Sequence, residues 1–452
     1  MFEKILIANR GEIACRVARA ARALEVKTVA VYSDADANAL HVRACDEAVR
    51  IGPAPARESY LDGAKVIAAA KQTGAQAIHP GYGFLSEQAE FAQACAENGI
   101  VFVGPPPAAM RTIKDKAQAR AVMRGAGVPV VPGSEGHVGE EVAARASAAS
   151  VGYPLLVKAA AGGGGIGMQV ARDEGELLKA LRACSDRARA SFGKDAVYLE
   201  RYFEKPRHVE VQILGDGRLT LAVGPRECSI QRRHQKVLEE APPPAFELPE
   251  PRPRVLRKLL DAGLKAARAV GYGNAGTCEF LLVGDEVYFI ELNARLQVEH
   301  PVTEATTGLD LVQLQLRIAA GEKLSMGQDD VRPRGHAIEC RINAEDPVKF
   351  FPSPGPVKRF DTPVPADGAF HEGVRIDAGY RAGDTVTPWY DSLLAKVISF
   401  GQSRAQAIAR MRAALERFTV EGVKTNIPTH LKALATDAFA RGELDTHFLE
   451  RI

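Results

Sequence analysis

Four consecutive glycines, Gly162 to Gly165, stand between Ala161 and Ile166-Gly167. Leu155–Lys158 before them and Met168–Ala171 after them have strand composition. A run without Cβ atoms has nothing to bury, so it predicts a hairpin flap rather than a core element. Its bare N–H groups can close on phosphate oxygens, Gly164 and Gly165 among them. The run is no Walker A loop, because no Gly-Lys-Ser/Thr ends it and it enters a strand, not a helix. A mobile surface loop is the competing reading. Lys158 at the base of the flap and Lys116 at the start of a predicted helix are candidate phosphate cations.

The chain opens with a strand at Lys4–Ala8, a turn at Asn9-Arg10-Gly11, a helical period from Glu12 to Leu24 and a strand at Lys27–Tyr32. This βαβ start predicts a parallel sheet. Ala77–His79 and Ile100–Val103 add strands, with a helix at Glu87–Asn98. Beyond the flap come a helix at Glu174–Phe192 and a strand at Val197–Arg201. From His208 strands dominate: Val209–Leu214, Leu219–Val223, Cys278–Val283 and Glu286–Leu292, interrupted by a helix at Arg254–Val270. Further strands and two late helices follow Gly335. At roughly 100–200 residues per domain, 452 residues imply two to four domains.

Composition narrows the function. With 46% hydrophobic and 25% charged residues the chain buries an ordinary core, and a net charge of +2 offers no field for nucleic acid or a membrane surface. Seven cysteines without a C-x-x-C pair predict a reduced, cytoplasmic protein. No signal-peptide pattern opens the chain, and no run of about 18 apolar residues predicts a span.

Polar residues cluster in three further places. Glu279 and Glu291 lie on consecutive strands, and Asn293 follows closely. Such oxygen ligands suit Mg²⁺ on nucleotide phosphates. A two-residue turn at Gly284-Asp285 pairs Glu279 with Ile290 and puts the two carboxylates on opposite faces. A shared metal therefore requires a longer turn or a bulge; the alternative is two exposed strand glutamates. From Glu291 to Glu299 the odd-numbered positions are Glu291, Asn293, Arg295, Gln297 and Glu299, which share a face if the chain is extended. Arg295 there suits a small planar anion, and Glu299 a general base; a solvated polar edge strand is the alternative. The third cluster, Gln231-Arg232-Arg233-His234-Gln235-Lys236, reads as an anion-binding loop between strands or as a solvated cationic face. Cys228 reads as a buried small residue.

Asn9–Ala14, His79-Pro80-Gly81-Tyr82-Gly83-Phe84-Leu85-Ser86-Glu87, Gln231–Lys236, Gln297–Glu304, Glu339–Glu345 and Tyr390-Asp391-Ser392 together resemble the biotin carboxylase family over essentially the whole chain. The resemblance implies an α/β ATP-grasp fold: a Rossmann-like N-terminal domain (1–114), a first ATP-grasp part with the lid (115–203), a catalytic part (204–330) and a mixed α/β C-terminal domain (331–452). It implies nucleotide contacts at Lys116, Lys158, Gly164, Gly165, His208 and His234, with Glu200, Arg201, Tyr202 and Phe203 holding adenine. Glu279, Glu291 and Asn293 match metal ligands for two Mg²⁺ or Mn²⁺ ions, Glu279 and Glu291 also counting among the ATP contacts. Lys236, Arg295, Gln297 and Val298 match a bicarbonate site, Glu299 its base, and Arg341 the residue that stabilises the biotin enolate. Bicarbonate would attack ATP to give carboxyphosphate, whose CO₂ is captured by biotin.

The flap departs from the family pattern, with Ala161 before the glycines and Ile166 where a cation is common, a feature similar to urea-carboxylase-like members. Gly224–Cys228 replaces the usual Glu-Arg-Asp-Cys. No methionine flanks a lysine, so biotin is expected on a separate carrier protein, with carboxyltransferase subunits as further partners, acetyl-CoA as the expected acceptor and a homodimer as the expected assembly. Rival readings are an ATP-grasp ligase working through an acyl phosphate, a silent nucleotide-binding protein, and a dehydrogenase, which the missing G-x-G-x-x-G disfavours.

Overall fold

The computed structural model describes residues 1–134, 136–159, 168–192, 196–247 and 252–452. Gly164 and Gly165, like Ala161 and Ile166, lie outside the described residues. The strands that flank the flap pair antiparallel, from Leu155↔Ala171 to Lys158↔Met168. Val197–Arg201 completes this small sheet, and Leu177, Leu181 and Cys184 of the helix Glu174–Phe192 cover it.

The N-terminal sheet is fully parallel, in the order Glu47–Gly52, Lys27–Ser33, Lys4–Ile7, Ala77–His79, Val101–Phe102. Ile5, Leu6 and Ile7 of its central strand are apolar because both faces are covered. Ile5 and Ile7 pack with Ile13 and Val17 of the helix Gly11–Ala23, while Leu6 points the other way, to Val66 and Ala70 of the helix Gly63–Thr73. Chain order reverses between Lys4–Ile7 and Ala77–His79, so the loops that leave these two strands form a crevice at their carboxyl ends. Asn9 clamps them by donating to the carbonyls of Pro80 and Tyr82, each at 2.7 Å.

His79 at the end of its strand is fully buried and neutral. Its Nδ1 accepts the Gly81 N–H at 3.0 Å, so Nε2 carries the proton and faces Gln315 Oε1 at 3.2 Å. Burial lowers its pKa from 6.5 to about 4. The folded state therefore resists a proton that the unfolded chain accepts. Above pH 6.5 neither state binds it and His79 is silent; between pH 6.5 and 4 stability falls, in the end by about 3 kcal/mol for this group. Urea midpoints taken across that window for the wild type and His79→Gln check this, and the variant is expected to show a shallower pH slope.

The largest sheet has eight antiparallel strands, in the order Glu286–Asn293, Asn274–Val283, Arg207–Gly215, Thr220–Arg232, Gln235–Ala241, His336–Asn343, Leu393–Gly401, Val374–Ala378. It takes strands from both sides of residue 330. The helix Pro253–Ala269 packs Val255, Leu259 and Ala266 on one half, and Arg404–Arg417 packs Ala407, Met411 and Leu415 on the other.

Two local expectations are corrected. The strand predicted to end at Val223 runs to Arg232, and Gln231–Lys236 is a hairpin tip rather than a loop: Arg232 pairs with Gln235, and only Arg233 and His234 turn, with φ of 48° and 64°. The polar alternation from Glu291 is no strand face beyond Asn293, where the last strand of that hairpin ends. No described helix is long and apolar enough to cross a membrane.

Candidate active site

The hairpin Asn274–Val283/Glu286–Asn293 turns through the two residues Gly284 and Asp285, as the short-turn register requires. Pairing runs from Val283↔Glu286 to Phe280↔Phe289 and then shifts by one residue, so that Glu279 meets Glu291. Ile290 is the extra residue. Because side chains alternate with period two, this single bulge brings both carboxylates to one face. Burial, then the charge of Glu279, raises the Glu291 pKa, and the Lys116 ammonium lies 3.8 Å from it. Glu279 goes the opposite way: burial opposes its charge, but Lys236 and His208 hold it well below the carboxylate range.

Lys236 is the hub. Its Nζ donates to Glu210 at 2.5 Å, Glu279 at 2.7 Å and Glu299 at 2.5 Å, and lies 3.4 Å from Gln297. These carboxylates hold the ammonium charged against the cost of burial. Arg341 bridges Glu299 and Glu239, through Nη2 to Glu299 at 2.9 Å and Nε to Glu239 at 2.6 Å. Burial pushes Glu239 up to about 7 against the pull of Arg341. Glu299 is buried too, yet Lys236 and then Arg341 keep it strongly depressed and ionised.

Some of the remaining predicted residues join this network, and others lie at the small sheet. Gln297 donates to Glu279 at 2.8 Å. The Val298 carbonyl accepts from the buried Lys396 at 2.9 Å. Arg295 Nη2 donates to Asn293 Oδ1 at 3.3 Å, and its Nε lies 3.4 Å from Glu87. His208 Nε2 is 3.1 Å from Glu279. On the small sheet Lys158 and Arg120 both pair with Glu200. Phe203 stacks on Tyr288 at 5.2 Å, the Arg201 and Tyr202 amides bond Pro132 and Pro154, and burial and Lys158 lower the pKa of His234.

Sequence reasoning missed Glu210, Arg226, Glu239 and Lys396. Arg226 is fully buried and donates to Glu210, Gln212, Thr303, Thr277 and Gln297. The signal was available: His208, Glu210 and Gln212 alternate with valines in an otherwise apolar strand, a polar face of period two inside the sheet.

A divalent cation fits Glu279 and Glu291, since two opposed carboxylates, one already raised by the other, leave a charge for it to relieve. Asn293 fits less directly, because its Oδ1 already accepts from Arg295. Two other close groupings, His208/Glu210/Glu279 and Glu210/Cys228/Glu299, are already filled by the Lys236 ammonium, which touches Glu210, Glu279 and Glu299.

Beside the network a cavity of about 340 Å³ opens from the N-terminal crevice, with Tyr82, Phe84, Val298, Arg341 and Trp389 among its lining residues. The Tyr82 hydroxyl donates to Glu12, whose other neighbour is Lys396 at 3.2 Å.

A small antiparallel sheet beside a large sheet with opposed carboxylates, together with a parallel N-terminal sheet, defines the ATP-grasp class. Family models agree: the N-terminal domain of biotin carboxylase matches residues 1–110, the ATP-binding domain of the carbamoyl-phosphate synthase L chain matches 115–327, and the C-terminal domain of biotin carboxylase matches 339–451. Biotin carboxylase of Pseudomonas aeruginosa is 51% identical over 453 residues, covering 100% of this chain and 98% of its own. A Campylobacter jejuni biotin carboxylase–β,γ-ATP complex superposes with a TM-score of 0.94 at 41% identity, covering 100% of this chain and 99% of its own. The biotin carboxylase domain dimer of Hydrogenobacter thermophilus 2-oxoglutarate carboxylase, in complex with MgADP, ADP and bicarbonate, gives 0.92 at 44% identity, with 100% and 98% covered. The chain belongs to the biotin carboxylase family.

Proposed function

We propose that this chain is an ATP-dependent ligase that carboxylates biotin with bicarbonate through carboxyphosphate. The observation that carries the reading is the continuous Lys236–Glu299–Arg341 network, which runs from the carboxylate pair on the hairpin to the cavity at the crevice.

ATP lies between the small sheet and the large one. Lys158, Lys116, His208 and His234 face its phosphates, and Glu200–Phe203 hold adenine. Glu279 and Glu291, with Asn293, would hold one or two divalent cations, which would supply positive charge to the nucleotide phosphates. Bicarbonate sits against Lys236, Arg295, Gln297 and the Val298 backbone, and Glu299 takes its proton.

Glu299 would become basic enough by losing its ion-pair partners. Two cations now share it, Lys236 and Arg341. An anion on Lys236 and a ureido oxygen on Arg341 draw both guards away, and the carboxylate regains proton affinity as both substrates arrive. Reaction is thereby tied to joint occupancy.

The division of labour follows the chain: 1–114 with the crevice, 115–203 with the lid, 204–330 with the catalytic hairpins, 331–452 with Arg341. Biotin is presented by a separate carrier protein, carboxyltransferase subunits use the product, the chain forms a homodimer, and the assembly is cytoplasmic. Acetyl-CoA, giving malonyl-CoA for fatty-acid synthesis, is the proposed acceptor; a transferase partner chooses it, and the related 2-oxoglutarate carboxylase domain shows that this scaffold serves another.

ADP release should require bicarbonate and Mg²⁺ or Mn²⁺, and free biotin should stimulate it. Equal ATP turnover with and without bicarbonate and biotin would refute the assignment.

A further inference from the structure

The chain contains a single tryptophan, Trp389, and it stands half exposed, at 52%, at the cavity that contains Arg341. Exposed apolar side chains are ordinary on this surface, but Trp389 stands out because it borders a ligand-sized cavity. Of the other aromatic side chains in the lining, Tyr82 is held by its hydroxyl on Glu12, and Phe84 and Tyr390 are in ring contacts. Tyr60 stacks on Phe84 at 5.0 Å, and Tyr390 meets both edge-on at 5.3 and 6.2 Å. Arg10 lies 4.6 Å over the Tyr390 ring. Among the described residues Trp389 enters no ring pair and no cation–ring contact.

Its position is nevertheless well held. The turn that carries it joins the strands Thr385–Val386 and Leu393–Gly401. Next in sequence, Tyr390 fastens the turn to the N-terminal unit, with its hydroxyl 2.5 Å from both Ser33 Oγ and the Ala54 carbonyl. Asp391 accepts the Leu393 N–H at 3.0 Å, and Ser392 donates to Glu345 at 2.7 Å. Pro388 limits the backbone on the other side. The ring is therefore presented by a pinned backbone, which lowers the ordering cost of any contact it makes.

The cavity lining is chemically mixed. Arg341, only 11% exposed and paired with the buried Glu299, contributes a cation. Trp389 contributes a half-exposed apolar ring. A ligand matching both carries a polar, hydrogen-bonding head and an apolar body. Biotin has that shape: a ureido edge, then a fused thioether ring and an alkyl arm.

Resting on the biotin carboxylation reading above, we infer that Trp389 is a substrate-positioning residue: its indole takes the thioether ring and alkyl arm of biotin while Arg341 takes the ureido oxygen. The contact sets affinity for the arm-bearing cofactor and leaves the chemistry to Arg341 and Glu299. It also distinguishes biotin from a bare cyclic urea, which reaches Arg341 but has nothing to lay on the indole.

The single tryptophan makes the test direct. Titrating the wild-type protein with free biotin should change Trp389 fluorescence, and titrating it with 2-imidazolidinone, the ureido ring alone, should leave the emission nearly constant. Trp389→Ala should raise KM for free biotin by about 5–10-fold, the worth of one aromatic contact, with kcat falling less than twofold. Trp389→Phe should recover most of the KM, which a merely structural role for the turn would not single out. Biotin-stimulated turnover with a wild-type KM in Trp389→Ala overturns this inference alone, as does fluorescence indifferent to saturating biotin in an enzyme that biotin stimulates. ATP turnover that ignores biotin altogether overturns the carboxylation reading together with it.

Discussion

Glu299→Gln is expected to lower bicarbonate-dependent ADP formation by about 10²–10⁴-fold, the range for loss of a positioned general base. The amide has the shape of the carboxylate but cannot accept the bicarbonate proton. It also leaves Lys236 with Glu210 and Glu279, and Arg341 with Glu239, so neither cation is stranded. Nucleotide affinity should therefore hold while turnover collapses. Isothermal titration with ATP beside a steady-state ADP assay separates the two quantities. Near-normal turnover in a variant that binds ATP normally would remove Glu299 from the proton-transfer role.

Arg341→Ala is expected to cut biotin carboxylation by about 10²–10³-fold and to leave ATP affinity nearly unaltered. A fixed cation aimed at charge that develops only in the transition state has an effect of that size. The variant also strands Glu239, whose carboxyl is fully buried and takes its ion pair from Arg341. Unpairing a buried charge costs up to about 3–5 kcal/mol, and less here because Glu239, already pushed up to about 7, can take up a proton. Thermal unfolding must therefore be followed in parallel, and Arg341→Lys supplies the control: it keeps the charge near Glu239 and loses the two-pronged geometry. Carboxylation that stays low in a folded Arg341→Lys protein assigns the effect to the guanidinium fork. Parallel loss of ATP affinity and carboxylation would place Arg341 elsewhere.

The hairpin of Glu279 and Glu291 shows what reading residues in order can and cannot do. Gly284-Asp285 signalled a two-residue turn, and the turn is there. The same turn predicts opposed faces for Glu279 and Glu291 unless a bulge intervenes, and nothing in the strand Glu286–Asn293 announces that Ile290 is the extra residue. The bulge is a property of the paired strands, set by how both pack. Likewise the polar alternation from Glu291 to Glu299 reads as one extended face, though the chain leaves the sheet at Asn293. The Gln297 and Glu299 side chains still reach Lys236, because the loop folds back beneath the hairpin tip that carries it.

Local composition determined much about this protein by itself. The apolar βαβ start specified a parallel sheet, because strands covered on both faces must be apolar throughout. The flanks of the glycine run specified an antiparallel hairpin, and the motifs near Lys236, Glu299 and Arg341 specified the family. Only the tertiary structure decided which charges share a site. Lys236, Glu299 and Arg341 come from three separate stretches of chain, and Glu210, Arg226 and Glu239 join them from positions with no motif of their own. Ionisation states followed from that meeting. Burial alone would neutralise Glu299 and Glu239 alike, yet Glu299, between Lys236 and Arg341, stays ionised, while Glu239 is pushed up to about 7. A charge in a buried site is governed by neighbours within a few ångströms, and the fold, rather than the order of residues, chooses those neighbours.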